Sequence, residues 1–333
     1  MAEKPLYIGI DLGGTDIKAG LVTASGAQIA VASTPTGGDE GRDAVIGRIV
    51  SLVRQMCARV GKRGRVRAMG IGSPGPINSR TGTIYFAPNL PGWRNVRLAA
   101  LVGRATGIPA FLINDANAAA WGEKCAGAGR NAASFVMYTL GTGIGGGVIL
   151  DNKLLEGYEG TAGELGHTVV EPGGRLCGCG NRGCLEAYAS APAIVKEYFV
   201  RAHYAKPKSP CAGQRRCATN AADEMVVDPR TVCRLAHRGC PHAKAAIESA
   251  ARYLGIAIGN MVNVFNPELV VIGGGLGQAG AVVLDPIRRS ALGNILPPLR
   301  KKVKIVPARL GNSAGIIGAA AWAAMSSREC GKK

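Results

Sequence analysis

"YIGIDLGGTDIKAGLVTASGAQIA", residues 7–30, reads as three short strands joined by two tight turns. YIGIDL is an apolar run stopped by two glycines, TDIKAGLV returns from them, SG makes the next turn, and QIAVAST runs on as the third strand. The layout recurs in SFVMYTLGTGIGGGVILDNKLLEG, residues 134–157, again as strand, Gly/Thr-rich turn, strand and short turn. Two copies of one meander predict a chain of two related halves. Between them, apolar residues at helical period predict a helix within Asp39–Arg63, and Val66–Ile71 and Pro109–Ile113 read as buried strands. Asn95 is placed to cap a helix ending at Thr106, and Asn114-Asp115 to open another. Further on, Ser190–His203 and His242–Phe265 read as helices. LVVI (269–272) and VKIVPA (303–308) read as strands, and SAGIIGAAAWAAM as a closing helix of small residues.

A chain of 333 residues exceeds what one hydrophobic core usually serves, so an α/β protein of two domains with a cleft between them is expected. The expected boundaries are 1–115 plus 314–333 for a small N-terminal domain carrying the C-terminal helix. Residues 116–313 form the larger one, with a polar, basic insertion at about 204–228. The net charge of +18 gathers in KRGRVR (62–67), KPKSPCAGQRR (206–216), RKKVK (300–304) and the tail. Such a field attracts anions; nucleic acid, a nucleotide, a sugar phosphate and a merely solvated surface all remain open on charge alone. The chain enters its first strand without a leader-like apolar region, and no apolar run reaches about eighteen residues, so a cytoplasmic protein without a membrane span is expected. In that setting ten cysteines read as thiols or metal ligands before disulfides.

Two stretches fit the dinucleotide spacing G-x-G-x-x-G, at Gly141, Gly143, Gly146 and at Gly275, Gly277, Gly280. The first is followed by a strand where that fingerprint needs a helix. The second precedes a plausible helix and keeps an NAD(P)-dependent oxidoreductase open, although no acidic residue follows to hold a ribose. A different use suits the paired loops better. Asp11, Gly13, Gly14 and Thr15 in one half, and Gly141, Thr142 and Gly143 in the other, set bare amides and a hydroxyl at hairpin ends, so facing halves could clasp a triphosphate. Asp11 beside such a loop suits Mg²⁺ held through water. Ordinary tight turns are the alternative for either loop taken singly.

In HTVVEPGGRLCGCGNRGCLEAY (167–188), His167, Cys177, Cys179 and Cys184 supply one imidazole and three thiols, the closed donor set that structural Zn²⁺ prefers. Glycines at 178, 180 and 183 let a short loop wrap an ion. Cys211, Cys217, Cys233, His237, Cys240 and His242 are too loosely spaced to read as a second site.

Asp11-x-Gly-Gly-Thr, LGTGIGGG (140–147), VVIGGGLG (270–277) and above all GELGHTVVEPGGRLCGCGNRGCLE (163–186) together resemble the ROK family of sugar kinases and repressors, most closely its ATP-dependent bacterial glucokinases. The resemblance covers nearly the whole chain outside about 204–228. It implies an actin-like ATPase fold, a duplicated ribonuclease-H-like architecture with ATP and sugar in the cleft. Gly273, Gly274 and Gly275 then face adenosine instead of forming a Rossmann turn, and Lys18 joins the nucleotide set. Asp115 becomes the catalytic base and Asn114 a ligand of the adjacent hydroxyl. Gly75, Asn89, Glu164, His167 through its second ring nitrogen, and Glu186 would complete the sugar site. From the residues alone, an Asn-Asp pair ahead of an Ala-rich stretch is equally an N-cap; an ordinary aspartate, with a pKa of about 4, is ionised at neutral pH and suits either role.

The expected reaction is ATP- and Mg²⁺-dependent phosphorylation of the 6-hydroxyl of glucose. N-acetylmannosamine, N-acetylglucosamine, mannose or fructose are alternative acceptors, and a sugar-responsive repressor without its DNA-binding domain is the remaining one. The first strand begins too early for a preceding helix-turn-helix, so no specific nucleic acid partner is expected; the family implies a homodimer or higher homo-oligomer. Asp16 stands where relatives often carry Asn, Lys or Ser, and its carboxylate near the phosphates is expected to weaken ATP binding slightly.

Overall fold

The computed structural model describes residues 4–61, 64–87, 90–203 and 227–330. Its elements in chain order begin with β1 (Pro5–Leu12), β2 (Asp16–Thr23), β3 (Gln28–Pro35), α1 (Arg42–Ala58), β4 (Arg65–Ser73), β5 (Ile77–Asn78), β6 (Thr83–Phe86), β7 (Arg94–Val96), α2 (Leu98–Thr106), β8 (Ala110–Asn114) and α3 (Asp115–Ala126). Then come β9 (Phe135–Leu140), β10 (Ile144–Leu150), β11 (Lys153–Leu154), α4 (Glu186–Ala189), α5 (Ala191–His203), α6 (Pro229–His237), α7 (Pro241–Phe265), β12 (Leu269–Gly273), α8 (Gly274–Gly277), α9 (Ala281–Asn294), β13 (Lys304–Pro307) and α10 (Ala314–Cys330). Cys211 and Cys217 of the expected insertion lie outside the described residues.

One five-stranded sheet has the order β3-β2-β1-β4-β8 and the other β11-β10-β9-β12-β13, so each repeats the same design: third, second, first, fourth, fifth strand. In the first, β1–β2 and β2–β3 are antiparallel while β1–β4 and β4–β8 are parallel. This duplicated arrangement is the one expected from the two matching meanders. A sheet led by an antiparallel hairpin is not a doubly wound dinucleotide sheet, which removes the oxidoreductase alternative.

The chain divides into two compact units. The first comprises Met1–Phe135, Gly146–Gly163 and Arg309–Lys333, the second Val136–Gly145 and Glu164–Ala308. Alternation along β1 builds the first. Leu6, Ile8, Ile10 and Leu12 turn to one face, where Val45, Ile49, Val53 and Met56 of α1 and Val102 of α2 cover them. Tyr7 turns to the other, against Ile316, Ala320 and Ala323 of α10. Each such aliphatic side chain, fully buried, contributes roughly 1.5–3 kcal/mol. The small residues of α10 have a specific cause: a β-carbon on Gly318 would strike the Ala118 carbonyl of α3, and one on Gly122 the Ala314 carbonyl of α10. The two helices therefore pack backbone against backbone, and Trp121 meets Trp322 edge-on at 6.1 Å between ring centroids. That packing keeps α3 with the first unit.

In the second unit α7 is the longest helix, and the Ser290–Asn294 turn of α9 packs directly over Gly255 and Gly259. One expectation fails locally. Asn95 does not cap α2; it sits inside β7 with φ 52°, and Arg97 precedes the helix. A small sheet β5-β6-β7 also intervenes between β4 and α2, its strands too short to carry a legible alternation.

Candidate functional site

In the first unit the candidate residues collect at the carboxyl ends of three neighbouring strands. The register sets Asp11 of β1 beside Gly72 of β4, and Ser73 beside Asn114 of β8, so Asp11, Gly75, Asn114 and Asp115 share one edge of the sheet. Carboxyl edges of parallel strands are where α/β sheets bind ligands, because chain reversals there leave loops and helix N-termini open.

Asn114 and Asp115 meet the start of α3 differently. Asn114 is the N-cap of α3, its Oδ1 accepting from the amides of Ala116 (3.0 Å) and Asn117 (3.1 Å), while its Nδ2 donates to the Gly75 carbonyl at 3.4 Å. Gly75 holds φ 82°, a left-handed conformation that favours glycine. Asp115 is the first residue of α3, with Oδ1 accepting from Ala116 N at 2.8 Å. The two side chains thus share Ala116 N while Asn117 N goes to Asn114, and the aspartate stands at the positive end of a helix, where a negative charge is favoured. Asn89 lies outside the described residues.

The turn between β1 and β2 is closed by Gly13 N donating to Asp16 O (3.0 Å), which leaves Gly14 and Thr15 exposed at the tip. A residue missed by sequence reading braces it. Thr36, fully buried, donates its hydroxyl to Gly13 O at 2.7 Å and its amide to Thr15 O at 2.8 Å, and its own carbonyl accepts from Arg48 Nη1 at 3.0 Å. Asp11 pairs in register with Lys18 across the hairpin. Burial holds the Asp11 carboxyl above its ordinary range, and the Lys18 ammonium pulls it partly back. Gly315, in the first turn of α10, lies against that carboxyl.

Glu123, fully buried near the end of α3, was also unforeseen. Its carboxylate accepts from the amides of Ala128, Arg309 (2.9 Å) and Leu310 (2.8 Å). Asn117, one turn beyond the cap, donates its Nδ2 to Ala162 O at 3.4 Å. Neither has a local sequence signal, because every partner is backbone far along the chain or just past a helix end.

In the second unit the Gly141–Gly143 turn is closed by Gly141 N donating to Gly143 O at 2.9 Å, leaving Thr142 exposed. Gly273 ends β12 and Gly274 and Gly275 follow it, Gly274 (φ 77°) backing onto the main chain of Leu140. His167 ends a short 3-10 turn, Leu165–His167, that follows Glu164. The cysteine loop folds through isolated bridges Val169↔Cys184 and Leu176↔Arg182, with Cys177 N donating to Asn181 O at 2.8 Å. Tyr188 supports the loop from below: its hydroxyl accepts from Arg175 N at 2.6 Å, Arg175 lies over its ring at 4.8 Å, and Tyr253 packs on it at 4.1 Å.

The ligand atoms of His167, Cys177, Cys179 and Cys184 all lie within 4.8 Å of one another. Cys177 Sγ is 3.7 Å from His167 Nδ1, and Cys179 Sγ is 3.7 Å from Cys184 Sγ. A tetrahedron with zinc–sulfur bonds of about 2.3 Å has edges of about 3.8 Å, so the donor set fits that ion. Without a cation three thiols crowd each other. Burial, then its cysteine neighbours, push the Cys184 thiol up to about 12, whereas the Asn181 backbone amide lowers that of Cys179. A dication reverses this by binding the thiolates.

Two carboxylates flank the cluster. Burial raises the Glu164 carboxyl; His167 counteracts this and Glu186 adds to it. Glu186 Oε2 accepts from Ile144 N at 2.9 Å, and its Oε1 lies 3.8 Å from Cys177 Sγ. The second unit therefore brings together Glu164, His167, Glu186 and the Gly141–Gly143 turn. No helix of the described residues is long and apolar enough to cross a membrane.

The model of the ROK family matches residues 7–326. A glucokinase from Thermotoga maritima is 39% identical over 317 residues, 95% of this chain and 96% of its own length. One from Streptomyces coelicolor is 38% identical over 322 residues, with the same coverage. Among solved structures, a ROK family glucokinase from Streptomyces griseus, in complex with glucose and AMPPNP, superposes with a TM-score of 0.80 at 35% identity, covering 96% of this chain and 99% of that one.

Proposed function

The chain belongs to the ROK family and has its actin-like ATPase fold, and on that footing we propose that it is a glucokinase, transferring the γ-phosphoryl group of ATP to the 6-hydroxyl of glucose. The observation that carries this is the edge formed by β1, β4 and β8, which gathers Asp11, Gly75, Asn114 and Asp115 and sets the Asp115 carboxylate at the N-terminus of α3.

In this reading the Asp115 carboxylate accepts the proton of the 6-hydroxyl as O6 bonds to the γ-phosphorus, while the bond from that phosphorus to the β,γ-bridging oxygen breaks and ADP leaves. Asn114 Nδ2, whose bond to the Gly75 carbonyl is long, donates to an adjacent sugar hydroxyl. Glu164, Glu186 and the second nitrogen of His167 read further hydroxyls, and polar groups committed to a hydroxyl reject sugars in which it is missing or inverted. The amides of Gly14, Thr15, Thr142 and Gly143 serve the phosphates, Lys18 adds positive charge, and Gly273–Gly275 accommodate the adenosine. Asp11 would hold Mg²⁺, which neutralises the charge developing on the triphosphate. His167, Cys177, Cys179 and Cys184 would hold a structural Zn²⁺ that orients the imidazole.

The test is ADP release with ATP and Mg²⁺ across glucose, mannose, fructose, N-acetylglucosamine and N-acetylmannosamine. The reading expects the highest kcat/KM for glucose; a higher value for another hexose corrects the substrate, and no turnover with any of them overturns the kinase. A homodimer or larger assembly belongs to the same reading and is checked by light scattering.

A further inference from the structure

The segment after the last cysteine grips the Gly141–Gly143 turn at both ends. On the incoming side, Ala191 N donates to Gly141 O at 2.9 Å. On the outgoing side, Glu186 Oε2 accepts from Ile144 N at 2.9 Å. The two anchors belong to one short stretch, Glu186–Ala191, whose own backbone is tied by Ser190 N donating to Glu186 O at 3.2 Å.

Gly143 records the same relation from the other side. A β-carbon built on it would collide with Glu186 Oε2. No positive φ demands glycine there, and a side chain at this position would have to displace the carboxylate from the place it occupies beside the turn. The other carboxylate oxygen lies 3.8 Å from Cys177 Sγ, at the edge of the donor cluster. One side chain therefore touches both the His/Cys cluster and the hairpin turn.

We propose that Glu186 is a positioning residue for the Gly141–Gly143 turn in addition to being a sugar ligand, so that this turn and the sugar pocket share one carboxylate and act as a mechanical unit. The inference rests on the turn serving nucleotide phosphates, as in the proposed function. A sugar ligand acting alone would leave nucleotide binding untouched when removed. A carboxylate that holds Ile144 N in place does not: without it that amide loses its acceptor and the turn is released at one end. Losing a hydrogen bond to a charged acceptor corresponds to at least about a tenfold change in an equilibrium constant. Binding and turn closure share the loss, so a several-fold effect on nucleotide affinity is the signature.

The experiment measures AMPPNP binding with Mg²⁺ by calorimetry in the absence of any sugar, for the wild type, Glu186→Ala and Glu186→Gln, each checked for zinc content and circular dichroism. Glu186→Ala is expected to weaken AMPPNP at least about fivefold with zinc retained, whereas Glu186→Gln, which keeps an amide oxygen for Ile144 N, restores most of the affinity. Gly143→Ala provides the converse: the turn variant is expected to raise KM for glucose as well as for ATP, because its new methyl displaces the carboxylate. Equal AMPPNP affinity in the wild type and Glu186→Ala, or a Gly143→Ala effect confined to ATP, overturns the positioning role and leaves the kinase standing. Failure of the wild type to bind AMPPNP overturns both.

Discussion

Replacing Asp115 by Asn separates chemistry from architecture at the start of α3. The substitution is nearly isosteric, and its side-chain oxygen can still accept from Ala116 N, as Asp115 Oδ1 does at 2.8 Å. The cap is untouched, since Asn114 supplies it through Ala116 N and Asn117 N. What the fold loses is one negative charge in the first turn of a helix, worth about 0.3–1 kcal/mol. For a unit of this size that lowers Tm by at most about 4 °C. What the reaction loses is the group that takes the 6-hydroxyl proton, a general-base contribution of roughly 10²–10⁴ in rate. The corresponding rise in the barrier is about 3–5.5 kcal/mol. The two losses differ enough to be told apart in one preparation, using ADP release at saturating ATP and glucose, a thermal melt, and glucose binding by calorimetry. The expected outcome is kcat reduced at least about a hundredfold with near-normal Tm and retained glucose affinity. A kcat within tenfold of wild type would remove Asp115 from its role. A fall in Tm of more than about 10 °C would show that the residue is chiefly structural.

Three further outcomes follow from the same geometry. Glu123→Gln keeps one oxygen for Arg309 N and Leu310 N but turns an NH₂ group toward Ala128 N, so it should cost about 2–3 kcal/mol and lower Tm by roughly 5–10 °C in a thermal melt; an unchanged Tm would mean these amides are satisfied by water. Asp11 has its carboxyl raised by burial against the pull of Lys18, so its contribution favours the fold only while protonated and is lost as pH rises through the raised value. Asp11→Asn should therefore melt higher than the wild type at pH 7.5, with the gap closing as pH falls toward the carboxylate range, and should have a higher KM for MgATP; a lower Tm at pH 7.5 contradicts the sign. Elemental analysis should find one zinc per chain, and its removal by a mercurial should open Cys177, Cys179 and Cys184 to a thiol reagent and lower Tm; two zinc ions per chain, or none, would refute the single closed site.

The parts legible in the sequence are those in which cause and effect lie close together along the chain. The two hairpins announce themselves because strand, glycine turn and returning strand are contiguous, and the cysteine loop because its ligands fall within one short glycine-rich stretch. The Asn114-Asp115 pair was readable as cap or base, and the structure gives Asn117 N to Asn114 while both side chains share Ala116 N. Thr36 and Glu123 were invisible for the opposite reason. Thr36 serves Gly13 and Thr15 from the far end of a three-strand meander, and Glu123 accepts from amides at 309 and 310, which nothing near residue 123 foretells. Asn95 misled because an Asn ahead of an apolar run is a cap signal that a short strand overrode.

The glycines of the candidate nucleotide loops show how far a composition argument reaches. Read from sequence, each had two explanations, an anion approaching bare amides or an ordinary tight turn. In the structure glycine at 143 also spares the Glu186 carboxylate, whose Oε2 stands where a β-carbon would be, a displacement. Gly141 and Gly275 differ: the nearest atom to a β-carbon on Gly141 is at 3.9 Å, there is nothing within 4 Å of one on Gly275, and neither has a positive φ. The fold alone would accept alanine at both. Their identity as glycine is left to what the folded chain does not itself contain, and close approach of a ligand to the main chain is the remaining physical reason. The pull toward nucleotide thus rests most firmly on the two positions where folding demands nothing.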